Sequence, residues 1–367
     1  MLTARALQAS ALCLFAAGPL LGQAVQGRVL VLPSEAPASG ALVALVDSAD
    51  LDVAQSATTA SGGFSLKAPR AGSYRVFVRQ IGRRTWRSQP MALAAGALLS
   101  VVLRVQAEPY ELPTLTVEAR QPRCGIRLGD DHLVTRLLEA AQTALALAEA
   151  TAEGGRVAFS SENYLARYTP KLAVTDSSST GVGRFAAWPI QSAPPDSLHE
   201  WGFVRTSRPG EGWTDVGGGP VYFGLDARVL FSDWFLAEHC FQLEAEEAGE
   251  LRVRFTPAER VVRSEVEGHL VLDRASLELR RIEFAYVGLP RWVPRGLAGG
   301  EVRLRRLSSG AWVPYAWRVR APVARVVTGR IQPQLEAWVE TGGRVRSVRG
   351  PGGRVDTLMT RELLGPS

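Results

Sequence analysis

Lysine is almost missing from this 367-residue chain. Lys67 and Lys171 are the only two among 42 cationic residues, and the rest are arginine. The formal net charge is +6, but the arginines are spread along the chain and mixed with glutamate. That spacing describes solvated strand faces, not the basic stripe of a nucleic-acid binder, so no nucleic-acid partner is expected. Histidine is scarce too: His132, His199, His239 and His269. None stands in H-E-x-x-H or has a carboxylate three residues on, so no zinc site is expected. A G-x-S-x-G elbow, a P-loop and a Rossmann fingerprint are all missing. Gly217-Gly218-Gly219-Pro220 leads into a strand and reads as a loop, not a phosphate cradle. No catalytic residue, metal ligand or cofactor is expected.

Long apolar runs are confined to the N-terminus. Arg5 precedes the uncharged stretch 6–21, and Gly22-Gln23-Ala24 is a small-x-small cleavage site. This reads as a secretory signal peptide over residues 1–24. A first transmembrane helix is the alternative, but the run falls short of the ~20 residues a span needs, and Gly18-Pro19 interrupts it. The mature chain is expected in the periplasm, at the outer membrane or outside the cell, without a transmembrane helix. Cys13 leaves with the signal, and Cys124 and Cys240 remain. In an exported protein two such thiols form one disulfide, with two separate buried thiols as the alternative. His239 beside Cys240 admits a Cys–His nucleophile reading; a disulfide cysteine next to a surface histidine is the plainer one. His199-Glu200 is placed on a strand, its side chains on opposite faces.

What is present starts with TTASGGFSLKAPRAGSYRVFVRQIG, residues 58–82. Gly62-Gly63 makes a tight turn, and Phe64 and Leu66, then Tyr74, Val76 and Val78, alternate with polar or outward positions. Thr59, Gly63, Phe64, Leu66, Gly72, Tyr74, Val76, Val78 and Gly82 stand where the carboxypeptidase regulatory-like domain carries its recurring residues, and the stretch resembles that transthyretin-like β-sandwich. The resemblance implies a seven-strand-type sandwich over residues 25–106. It implies a fold and no reaction. A proline-containing linker follows at 107–129. Within it 112–119, LPTLTVEA, is similar to the extended segment after this domain in TonB-dependent outer-membrane receptors.

A helix is expected over 130–154. Asp130 or Asp131 caps it, Leu133, Leu137, Leu138, Ala141, Leu145 and Ala148 share one face, and Gly154-Gly155 ends it. That face packs on a sheet or meets a partner. Residues 155–350 read as an antiparallel β-rich domain of twelve strands, among them 201–207, 221–231, 265–273, 278–287, 312–321 and 334–340, and 351–367 as a loose tail. GHLVLDRASLELRRIEFAYVGLP, from Gly268 to Pro290, resembles a hairpin of lipoprotein-sorting half-barrels, which implies a half-barrel-like second domain. The fold class is therefore mainly β.

Nine tryptophans stand in the chain. They either pack in the sheets or stack on sugars, and Trp213, in the glycine-rich 209–220 loop, is the candidate ligand-binding residue. Three functional readings result. One is a non-enzymatic envelope protein that binds a protein, glycan or lipid. One is a carbohydrate-binding protein. One is a hydrolase with an unrecognised site in the polar loops 176–183 and 192–200. A small transmembrane barrel fits poorly, because Arg and Glu fall on both faces of 277–286 and 301–306, and charge facing lipid is costly.

Overall fold

The computed structural model describes residues 23–106, 108–110, 122–128, 132–153, 158–185, 188–205, 220–244, 249–259, 263–307, 310–325, 333–349 and 355–357. Residues 1–22, Asp130, Asp131, Trp213, Gly154-Gly155, Gly217–Gly219 and the 112–119 segment lie outside them. So does most of 351–367.

The chain is mainly β. Its first part is a two-sheet sandwich. In one sheet β1 (Ala24–Leu32) is central, antiparallel to β2 (Ala36–Pro37) and β5 (Gly63–Lys67) and parallel to β9 (Leu98–Gln106). The other runs β4 (Asp52–Ala57), β3 (Leu42–Val46), β6 (Gly72–Arg79), β7 (Trp86–Arg87), with β8 (Met91–Leu93) also on β6. Val25, Val29, Phe64 and Leu66 from one sheet meet Val43, Leu45, Tyr74, Val76 and Val78 from the other, the expected inward alternation. Gly62 has φ +77°, and a Cβ there would strike the Val29 carbonyl, so the turn needs glycine. Phe77 points outward yet is buried, with the Arg87 guanidinium 5.0 Å above its ring.

The second part is one antiparallel sheet of eleven strands. Its order is β10 (Arg123–Cys124), β15 (His239–Leu243), β16 (Glu250–Pro257), β17 (Glu265–Asp273), β18 (Leu279–Val287), β19 (Gly299–Arg306), β20 (Trp312–Arg325), β21 (Gln334–Arg349), β11 (Ala158–Tyr168), β12 (Val174–Phe185). A short β22 (Val355–Thr357) sits on β21, and β13 (Val204–Arg205) pairs with β14 (Val221–Tyr222) in a separate ribbon.

Helix α1 (Leu133–Glu153) buries the six expected apolar residues, and Val134, Ala140, Ala144 and Leu147 besides. A helix apolar on nearly every side is a buried helix. Here α1 is wedged between β15, β17, β18 and β20 of the large sheet and β3 and β4 of the sandwich. Leu42 of β3 belongs to the same apolar cluster as α1. Tyr110 reinforces the joint: its N–H donates to the Gly82 carbonyl at 2.9 Å and its hydroxyl to Glu139 of α1 at 3.3 Å.

Three short helices replace expected strand or loop. They are α2 (Pro195–Trp201), α3 (Ala227–Leu230) and α4 (Asp233–Glu238). Thus 221–231, read as one strand, is a two-residue strand followed by a helix, and Trp201 ends a helix. Conversely, the 176–183 loop belongs to the twelve-residue β12, so half of the polar-loop argument for a hydrolase goes. At the centres of β18 and β19 the charges keep to one side, while Arg306, at the end of β19, follows the alternation of Val302 and Leu304. Within the strands Ile282, Phe284, Val302 and Leu304 face the core, while Arg281, Glu283, Glu301 and Arg303 take the other side.

Candidate functional site

Register sorts the large sheet into two chemically opposite faces, because directly opposed residues share a face. Leu270, Ile282, Val302, Trp317 and Gly343 stand opposite one another in turn across β17 to β21. This inner row faces α1. The neighbouring outer row is Arg254, His269, Glu283, Glu301, Arg318, Gly342 and Tyr164.

The outer row forms a groove of about 450 Å³ over Gly268, Ala285 and Gly299. Its charges are largely paired. Glu301 takes hydrogen bonds from Arg303 and, at 3.3 Å, from Arg318. Glu340, 3 % exposed, accepts from the Tyr164 hydroxyl at 3.0 Å, the Tyr168 hydroxyl at 3.2 Å and Arg320 at 3.0 Å. Burial, then the Glu340 charge, pushes both phenol pKa values up. Glu283 is held below the usual carboxylate range by Arg281 and Arg252 against the opposing effect of burial. His269 Nε2 donates to a Glu244 carboxylate oxygen at 3.0 Å in the same network. This is an ion-pair ladder that ties strands together.

The inner face differs. Trp317 lies across Gly343, where a Cβ would enter its ring, and Phe284 lies against Gly300 in the same way. Beyond α1 the inner surface opens into a cleft of about 640 Å³. Trp317, Val319, Val339 and Thr341 form its floor, and Trp188, Ile190 and Tyr222 its wall. The wall is braced. Trp188 Nε1 donates to the Leu225 carbonyl at 2.7 Å, Gly224 N–H to Gln191 at 2.8 Å, and the Tyr286 hydroxyl to Phe223 at 3.0 Å. Ile190 fills the space a Cβ on Gly224 would take. Burial alone drives the Tyr222 phenol pKa far up. The volume and aromatic lining are those of a preformed small-molecule cleft.

The histidines are dispersed. His132 accepts from Val134 N–H at 3.2 Å at the start of α1. His199 sits on α2, not on a strand, stacked on Trp234 and 2.8 Å from Glu238. His239 is not a surface residue. It is 1 % exposed, stacked on Phe235 at 3.7 Å, with Nδ1 3.1 Å from the Phe235 carbonyl and Nε2 3.3 Å from that of Val266. Burial pushes its pKa down to about 4, against the pull of those two carbonyls. Glu265, equally buried, pairs with Arg263 at 2.7 Å, and burial raises its pKa. Cys240 is bonded to Cys124, its direct cross-strand partner, and the disulfide removes the thiol a Cys–His nucleophile needs. Among the described residues no cluster of three or more His, Cys, Asp or Glu could hold a metal ion, and no helix is long and apolar enough to cross a membrane.

The candidate ligand residue Trp213 lies outside the described residues. Sequence reasoning missed Trp188, Tyr222 and Trp317 as a group. They come from three separate segments, and no local spacing links them.

Comparison with known proteins supports the first part of the chain. Residues 24–121 match the carboxypeptidase regulatory-like domain. The N-terminal sandwich is a domain of this kind, non-catalytic in itself. The match ends before the large sheet. No curated protein matches the chain. Two solved structures are the Bacillus anthracis TIE protein, at 10% identity and TM-score 0.20 over 87% of this chain and 47% of that one, and a 9R-lipoxygenase from Cyanothece PCC8801, at 11% and 0.20 over 77% and 41%. The chain spans less than half the length of either, and at these scores neither informs the fold.

Proposed function

We propose that this chain is an exported, non-enzymatic envelope protein that binds an apolar ligand in the inner-face cleft. The carrying observation is the braced cleft itself, floored by Trp317, Val319 and Val339 and walled by Trp188, Ile190 and Tyr222. A face that turns aromatic rings into an open cavity, while its reverse is laced with ion pairs, is arranged for an apolar occupant. The N-terminal apolar run and the disulfide support export to an oxidising compartment. The regulatory-like sandwich, fixed against α1, serves as a rigid support or docking surface for an envelope partner. The resemblance of the 268–290 hairpin to lipoprotein-sorting half-barrels points the same way.

The test is a fluorescence titration with N-phenylnaphthylamine, a neutral apolar dye. Wild-type protein is expected to enhance its emission saturably. Val319→Asp and Leu165→Asp place a charge on the floor and rim without removing core atoms, and are expected to abolish the enhancement at unchanged melting temperature. Undiminished binding by both variants would move the occupant out of the cleft. Hydrolysis of a peptide, ester or glycan panel by pure protein would overturn the non-enzymatic reading.

A further inference from the structure

Among the described residues, none of the side chains that line the inner-face cleft is Asp, Glu, Lys, Arg or His. The lining offers apolar and aromatic surface with a few neutral polar groups, Ser161, Asn163, Gln191 and Thr341. This composition is not typical of the strands that carry it. The same β20 and β21 hold Arg318, Arg320 and Glu340, all on the other face. Those charges are committed to one another: Arg320 lies 2.8 Å from Glu340, and Arg318 lies 3.6 Å from Glu340 and 3.3 Å from Glu301. Arg167, across from Val339 on the same face, is paired with Glu336 at 2.9 Å and is not among the described lining residues.

We propose that the cleft selects an uncharged occupant: a neutral alkyl alcohol or amide is held, and the ionised carboxylate of the same chain length is rejected. The proposal rests on the ligand-binding reading above and adds the ligand's charge state to it. An ion moved from water into a site with no partner loses its hydration without compensation, whereas a hydroxyl or amide is satisfied by a neutral hydrogen-bonding group. Asn163, Gln191 and Thr341 are groups of the second kind. The cleft's volume lies in the range of sites that bury most of a small ligand's surface, so a head group drawn in with its chain loses part of its water.

The experiment displaces bound N-phenylnaphthylamine with 1-decanol, decanamide or decanoate at pH 8. The two neutral probes are expected to displace the dye, and decanoate to be weaker by at least about tenfold, the order of an uncompensated buried charge. Lowering the pH towards 5.5 protonates part of the decanoate and is expected to strengthen it while leaving decanol unchanged. Thr341 is exposed at the cleft floor, so Thr341→Lys can supply a cation without emptying the core. It is expected to shift the ratio of decanoate to decanol affinity towards decanoate by at least about tenfold, whatever it does to decanol itself. Decanoate binding as tightly as decanol to the wild type at pH 8 would overturn the proposal while leaving a ligand-binding cleft. Failure of the dye itself to bind would remove the occupant, and this proposal with it.

Discussion

His239 shows how much a single position depends on its surroundings. In sequence it stands next to a cysteine and invites a catalytic role. In the fold its ring is stacked on Phe235, and both nitrogens face main-chain carbonyls. The unfolded imidazole titrates near 6.5 and the folded one near 4, so the unfolded chain takes up the proton first. The stability this residue contributes is whole above about pH 6.5 and is lost as the pH falls towards 4, by up to about 3 kcal/mol. Glu265, with a raised pKa, acts in the opposite sense, its contribution being lost as the pH rises through its folded pKa. Urea midpoints at pH 7 and pH 4.5 are expected to fall further for the wild type than for His239→Gln, in the presence of the same Glu238, Arg263 and Glu265. An equal fall would contradict this assignment. The residues legible from sequence were those whose role is local: the turn at Gly62, the alternation of Phe64 to Val78, and the apolar face of α1. Glu340 was not legible, because its partners come from positions 164, 168, 318 and 320, and only register brings them together.

At the level of elements, the long regular pieces were readable and the short ones were not. The extents of β17 and β18 follow from alternation, and β17 agrees to the residue. By contrast β20 and β21 run well past their expected ends, through Pro322 and Gly342-Gly343. These residues read as strand breakers, but here the glycines make room for the rings of Tyr164 and Trp317. Helices α3 and α4 were read as strand or missed because a short apolar run does not distinguish the two. Their caps were the available signal: Asp226 accepts from Val229 N–H at 2.9 Å and Ser232 from Phe235 N–H at 3.4 Å. The disulfide belongs to this scale as well. It holds the two-residue β10 on β15 and closes a loop of 116 residues. Replacing both cysteines by serine is expected to cost about 2–5 kcal/mol, read as a lower urea midpoint. An unchanged midpoint would show that the Ile126 N–H to Leu236 hydrogen bond and the packing beside it suffice.

For the molecule as a whole, the two β units share one helix. The sandwich matches a known domain, and the sequence revealed it through residues that recur at turns and strand centres. The cleft had no such signature. Its floor is visible only once β20 and β21 are in register, and its wall comes from residues 188–191 and 220–222. The gathering of ion pairs on one face and of the Trp188, Tyr222 and Trp317 cleft on the other is a property of the assembled sheet. The central claim is that the aromatic face holds an apolar ligand, and the most direct measurement is photolabelling with a decyl diazirine probe followed by peptide mapping. The account predicts adducts on Trp188–Gln191, Val319–Ala321 and Val339–Thr341, competed away by decanol. Labelling confined to the exposed Leu98 and Val102 of β9, or spread evenly over the surface and indifferent to decanol, would contradict it.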